Sequence, residues 1–221
     1  MNAQDIFLIT SVINAGNKEW SYSSVRSVFN TEERFKQSLN TIASIRKYNT
    51  NAKILFVECS ELSDEYENVI RDSVDFYIQC YENEEIRNAC LNSIKKGYGE
   101  LLKTKKAVEY LIENSITFNR LFKISGRYWL NEHFDISKFS LTDFTFNKQL
   151  PGSCCCPTVL YCVPYKLIIC FLNGIGECEE LYVSGPHGLE HILPPRCLPQ
   201  IRLDRVGVSG HVAIDGIFYE S

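Results

Sequence analysis

The chain predicts an α/β fold, with a mostly parallel sheet flanked by helices in its first two-thirds and a loop-rich α+β region beyond about residue 135. Three observations carry this expectation. Short runs rich in β-branched and aromatic residues alternate with longer stretches whose apolar residues recur at helical spacing. Polar or glycine-containing segments follow each apolar run, as they do where strands feed into loops and helices. After residue 135 the texture changes, and 174–211 is rich in Gly, Pro and Cys with only short helical patterns.

DIFLITSVI at 5–13 is the first strand. Asn30 with Glu33 has the form of a capping box, and Phe35, Leu39, Ile42 and Ile45 then recur at helical spacing, which predicts a helix over 31–48. AKILFVE (52–58) and VDFYIQ (74–79) are strands separated by a charged helical stretch at 61–72, a β–α–β unit. A second strong helix runs from Gly99 to about Asn114, with Leu101, Leu102, Val108, Leu111 and Ile112 on its apolar side and Lys103, Lys105 and Lys106 elsewhere. RLFKIS (120–125) is a buried strand that ends at Gly126, and DFTFNK (143–148) and TVLYCVPY (158–165) are later strands. No repeat or linker separates the halves, so 1–221 reads as a single domain whose two halves meet at about residue 135.

A length of 221 residues with 45% hydrophobic and 23% charged residues suits one globular core. The net charge of −4, with both signs interspersed, argues against nucleic acid or an anionic membrane as partner. The N-terminal apolar run has an acid at Asp5 and no basic flank, so it reads as a strand rather than a signal peptide, and no run of about 18 apolar residues predicts a membrane span. A cytoplasmic location is expected. The ten cysteines lack paired ligand spacing, and Cys154, Cys155 and Cys156 are adjacent, so free thiols are expected; zinc held by that run with Cys162 is the other reading. No spacing ties a cysteine to a histidine as a nucleophile pair.

Open α/β sheets bind ligands beyond the carboxyl ends of their strands, which directs attention to four places. These are Thr10–Ser11, Glu58-Cys59-Ser60, the KKGYGE segment at 95–100, and Ser125-Gly126-Arg127-Tyr128. KKGYGE suits an anion-facing turn, because glycine permits close backbone approach and a helix N-terminus offers unpaired N–H groups. It equally describes a solvated loop and helix cap.

The ordered series ERFKQSLNTIASIRKYNTNAKILFVECS, KKGYGELLKTKKAVEYL and FKISGRYWLNEHFD resembles small GT-A-type glycosyltransferase-like proteins of bacterial, phage and large-virus glycan gene sets, over about residues 5–135. The resemblance implies a Rossmann-like half that binds a nucleotide-sugar donor, and transfer of a monosaccharide to a glycan or glycoprotein hydroxyl. It implies donor contacts from Thr10, Ser11, Arg34, Glu58, Ser60, Gly99, Lys103, Ser125 and Gly126. Related enzymes commonly carry an Asp-x-Asp metal motif where this chain has Ser125-Gly126-Arg127, which supplies no carboxylate for Mn²⁺ or Mg²⁺. The Arg127 guanidinium is then expected to bind the diphosphate and stabilise the leaving nucleotide; a salt-bridge or carbonyl-binding arginine is the alternative.

An inverting transfer needs a carboxylate base, and Glu190, in the short helix predicted from GPHGLEHIL (185–193) with entry through Pro186, is the candidate; a surface glutamate is the plainer reading. Asp135 and His211 are the candidate metal ligands, with His187, His191, Asp204 and Asp215 as further donors. Two other functions remain open: a non-catalytic sugar-nucleotide or glycan-binding module, and a sugar nucleotidyltransferase, although no glycine-rich Arg- and Lys-bearing loop follows the first strand.

Overall fold

The computed structural model describes the chain except residues 1–3, Tyr22, Lys96, Pro151, Ser153, Cys154, Pro186 and His187, and the side chain of Val183. Strand β1 (Ile6–Thr10) leads to helix α1 (Thr31–Tyr48), β2 (Lys53–Glu58), α2 (Asp64–Ser73) and β3 (Phe76–Gln79). A short α3 (Glu84–Arg87) runs into a π-helical turn at Asn88–Asn92, followed by α4 (Tyr98–Glu113), β4 (Arg120–Ser125) and β5 (Tyr128–Leu130). The remainder contributes β6 (Phe144–Asn147), β7 (Leu160–Pro164), α5 (Ile168–Ser184), α6 (Leu189–Ile192), β8 (Gln200–Leu203), β9 (Val208–His211) and β10 (Phe218–Glu220).

Seven strands form one sheet in the order β3-β2-β1-β4-β7-β6-β8. The first four are mutually parallel, β7 runs antiparallel to β4 and to β6, and β8 is parallel to β6. The mostly parallel α/β sheet is therefore the architecture of the chain. Its central strands are buried on both faces, as helices on both sides require. Ile6 and Leu8 of β1 pack into one apolar layer with α4 and α5, and Phe7 and Ile9 into the opposite layer with α1. This is the period-two alternation of a strand, hidden in an unbroken apolar run.

Helix α1 has the bounds that its cap predicts. The Asn30 side chain accepts from the Glu33 N–H, and the Glu33 carboxylate accepts from the Asn30 N–H. Within α4, Leu101, Leu102, Val108 and Leu111 are buried as expected, but Ile112 is exposed and Lys103 is enclosed. Helical phase alone did not separate these positions, because Lys103 lies on the flank that faces the end of β1.

Beyond β7 the expectation of only short helical patterns is corrected by α5, a helix of 17 residues. Gly174 and Gly176 weaken its local signal, each costing roughly 1 kcal/mol against alanine. Tertiary packing overrides that cost, since Ile168, Phe171, Ile175, Cys178 and Tyr182 form one buried stripe. A second sheet, β10-β9-β5, was also not anticipated, because its strands are only three or four residues long. Pro186, the expected entry of α6, lies outside the described residues, and Gly188 occupies the N-cap position. Among the described residues no helix is long and apolar enough to cross a membrane.

Candidate functional site

The sheet changes direction between β1 and β4. From β1 the chain winds outward to β2 and β3, then returns to add β4 on the other side. Connections leave the carboxyl ends of these two strands in opposite directions, which opens a crevice there. Thr10 and Ser125 are partners across this boundary, and both line a cleft.

The walls of the cleft come from five segments. The loop after β1 supplies Val12 and Ala15, and its continuation supplies Trp20 and Arg26. Arg34 enters from α1. The π-helical turn and the start of α4 contribute Cys90, Lys95, Gly97, Gly99, Glu100 and Lys103, while Arg127 stands just past β4. Ala213 and Ile214, in the loop between β9 and β10, close the rim.

Five of these residues are cations, and neutral groups hold them in place. Arg34 Nε donates to the Val12 carbonyl at 2.8 Å and Nη1 to Ser27 Oγ at 3.3 Å. Lys103 Nζ donates to the Ser11 carbonyl, and Lys95 Nζ to the carbonyls of Tyr182 and Gly185. Arg26 donates to the carbonyls of Lys18, Ser93 and Cys90 and lies 3.8 Å over the Trp20 ring. Among the described residues none of Arg34, Lys95, Lys103 and Arg127 has a carboxylate within ion-pair distance.

The consequence is visible in Arg34, whose pKa falls to about 9. Burial is the main cause, with the charges of Arg127 and Arg26 adding to it against the opposing pull of Glu58. Among the described residues of the cleft the one acid, Glu100, pairs with Lys123, a fully buried lysine in the centre of the sheet. Burial opposes the Glu100 charge, yet Lys123, Lys103 and Arg127 together hold its carboxyl below the usual range. Burial pushes the Lys123 ammonium down, and Lys103 and Arg127 push in the same direction against the attraction of Glu100.

Arg127 is fixed by its turn. The Gly126 N–H donates to the Thr10 carbonyl at 3.1 Å, and Ser38 Oγ to the Gly126 carbonyl at 3.3 Å. A Cβ at Gly126 would stand 3.1 Å from Ser38 Oγ and 3.3 Å from the Ser11 side chain, so glycine lets the turn sit tightly on β1 and α1. The guanidinium reaches Tyr128, but its buried Nε has no acceptor.

Glu58 and Ser60 lie beneath this surface rather than in it. The Glu58 carboxylate is fully buried and accepts from the N–H groups of Ile13, Cys59 and Ser60 and from Ser60 Oγ, at 2.7–3.3 Å. Ser60 Oγ in turn accepts from the Asn14 N–H at 2.9 Å. Together they pin the loop that carries Val12 and Ala15. Substituting Glu58 by glutamine removes the charge and places an amide donor among N–H groups, which is expected to destabilise the protein by about 2 kcal/mol. Urea unfolding checks this, and an unchanged midpoint would contradict it.

Of the residues that the sequence pointed to, Thr10, Arg34, Gly99, Lys103, Ser125 and Arg127 converge on the cleft. Ser11, Glu58, Ser60 and Gly126 support it from behind. Glu190 stands on α6, next to Leu189, whose Cβ would lie 3.2 Å from a Cβ at Gly97 on the cleft wall. Asp135 is exposed and caps a 3₁₀ turn through the N–H and Oγ of Ser137. His211 packs among Phe29, Trp129 and Phe218 and bonds the Gly216 carbonyl through Nδ1. His187 and Cys154 lie outside the described residues.

Among the described residues no three His, Cys, Asp or Glu side chains converge as a metal site. At the turn where the resemblance would put two carboxylates, the buried Arg127 Nε is itself a donor in want of an acceptor. The residues of the cleft therefore do not fit a divalent cation. Among the described residues the eight cysteines other than Cys155 are free thiols, and Cys156 donates to the Asn147 carbonyl at 2.9 Å.

Arg26 and Trp20 escaped the sequence reading because they lie in the irregular stretch between β1 and α1, where no periodic pattern marks a residue as inward-facing. Glu100 falls in the KKGYGE segment that the sequence singled out, but its pairing with Lys123 was not readable, since it has the form of an ordinary first-turn helix glutamate.

No family model and no curated protein matches the sequence. Among solved structures, the chain is similar to the apo-form glycosyltransferase GlyE of Streptococcus pneumoniae TIGR4, at 10% identity and a TM-score of 0.48, over 90% of this chain and 45% of that one. It is also similar to a glycosyltransferase involved in glycosylation of the major capsid of PBCV-1, at 12% identity and a TM-score of 0.39, over 89% of this chain and 71% of that one. The chain thus spans less than half the length of the first of these.

Proposed function

We propose that the cleft binds a nucleoside-diphosphate sugar and that the protein transfers its sugar to a hydroxyl of a glycan or glycoprotein. The observation that carries this reading is the excess of positive charge at the switch point of the sheet: five cationic side chains against one acid already paired with Lys123. A diphosphate brings the matching charge, and charge-assisted hydrogen bonds from guanidinium and ammonium groups are the strong ones. The strand ends that carry Thr10 and Ser125 would meet the nucleoside, as ligands of open α/β sheets lie there.

In the reaction, the bond between the anomeric carbon and the β-phosphate oxygen breaks as the acceptor oxygen attacks that carbon. The negative charge that develops on the departing nucleotide is met by preorganised cations, which need no reorganisation at that moment. Glu190 is the proposed base for the acceptor proton. Its neighbour Leu189 packs against the wall at Gly97, in the half of the chain that does not build the nucleotide crevice, which supports that role.

The test is nucleotide release from UDP-, GDP- and dTDP-sugars in the presence of a mixed oligosaccharide pool, with a CMP-sugar, which has one phosphate, for comparison. Release is expected from one diphosphate donor, and Glu190→Gln should lower kcat by about 10²–10⁴-fold while donor affinity holds. A folded protein that binds a donor and releases nothing from any of them would instead be a binding module.

A further inference from the structure

We infer that side chains of this cleft, Arg127 with Lys103 foremost, neutralise the donor diphosphate in the role usually given to a divalent cation, so that donor binding does not depend on one. This deepens the proposed donor reading and rests on it. Three observations carry the inference, and each concerns a different group.

The first is Arg127. Arg127 lines the cleft, and its buried Nε donates to nothing, although a buried donor left unsatisfied is costly. The turn that carries it is pinned at Gly126 by both Thr10 and Ser38, so the backbone that presents the guanidinium is held in place. An unsatisfied donor held in position is a site in need of an acceptor, and a phosphate oxygen supplies one.

The second is Lys103. It is almost fully buried and has no carboxylate partner among the described residues; its ammonium donates to the Ser11 carbonyl and retains two further protons. A lysine ammonium enclosed in this way is costly unless a further acceptor arrives. The third is Arg34, held by two neutral oxygens and driven to a lowered pKa by burial and by Arg127 and Arg26. These charges repel one another, and an anion with several oxygens relieves all of them together. A divalent cation placed here would add to the repulsion.

Calorimetric titration of the whole chain with UDP, GDP, dTDP and inorganic pyrophosphate, in EDTA and again with Mn²⁺ or Mg²⁺, tests the inference. One nucleoside diphosphate should bind in EDTA with an affinity within about threefold of that with metal. Arg127→Ala should weaken that metal-free binding by about tenfold or more, with Arg127→Lys recovering part of it, and Lys103→Gln should weaken it similarly. Thermal melts of each variant show whether it is folded. Nucleotide binding that requires Mn²⁺ or Mg²⁺, or that survives Arg127→Ala unchanged, overturns the inference and leaves the donor reading standing. Pyrophosphate that binds in EDTA and is lost in Arg127→Ala, with no nucleotide binding, supports the cationic clamp and defeats the donor reading.

Discussion

Replacing Glu100 by glutamine is expected to destabilise the protein by about 4 kcal/mol, because it strands the Lys123 ammonium in the centre of the sheet. Lys123 sits on β4, fully buried, with Glu100 as its one acidic partner among the described residues. Its other neighbours are the Ser125 hydroxyl at 3.1 Å, the Thr158 carbonyl at 3.3 Å and the Tyr161 ring. None of these carries a countercharge. Breaking a buried pair from one side leaves the full desolvation cost of the remaining charge, whereas removing both partners does not. Glu100→Gln with Lys123→Met should therefore recover most of the loss, and failure of that double variant to recover would contradict the account.

The same pair sets an acid limb. The Glu100 pKa in the folded protein lies below its ordinary value of 4.5, so its contribution to stability is present above that value and is lost as pH falls through the lower, folded one. Lys123 works in the other direction, because its folded pKa lies below its ordinary 10.5. Its buried charge costs stability at neutral pH, and that cost is relieved as pH rises. Melts across pH 3–6 should show a shallower acid limb in Glu100→Gln than in the wild type.

The second large effect is expected at Gly99. An added Cβ there would lie 2.6 Å from Cys90 Sγ and 2.8 and 2.9 Å from the Cys90 Cα and N atoms. Two of those atoms are backbone, so the first turn of α4 and the π-helical turn cannot both keep their places. Gly99→Ala is expected to cost about 3 kcal/mol and to weaken donor binding, since both segments line the cleft. Gly176→Ala is the comparison. Its Cβ would meet nothing within 4 Å inside α5, so the better helix propensity should raise stability by up to about 1 kcal/mol. Equal effects of the two substitutions would refute the packing argument.

Gly99 also shows what the sequence could and could not reveal. KKGYGE marks it as a glycine needed at a helix start, and it does line the cleft. The reason for the glycine, however, is Cys90, nine residues earlier and brought close only by the turn after α3. The start of helix α1 was readable because its cap is local: Asn30 and Glu33 satisfy each other within one turn. Helix α5 was not, because its stability comes from a buried stripe and its glycines argue against it. Lys103 and Lys123 form an intermediate case. RLFKIS reads as a buried strand, and a lysine inside one demands a partner, but nothing in the local pattern names Glu100. The same limit applies to Glu58, whose strand-end position was clear and whose role as the anchor of the β1 loop was not.

A thermal-shift panel of the purified chain against UDP-, GDP-, CMP- and dTDP-sugars tests the central claim, that the cleft between β1 and β4 is a sugar-nucleotide site. Ligand at about a hundred times its dissociation constant contributes roughly 2.7 kcal/mol to the folded state. For a domain of this size that is a rise in Tm of about 5–11 °C. The account predicts such a rise with one diphosphate donor, cut to about half or less in the folded Lys103→Gln and Arg34→Ala variants. A folded protein that none of the four donors stabilises, or a shift that both variants keep in full, would contradict it.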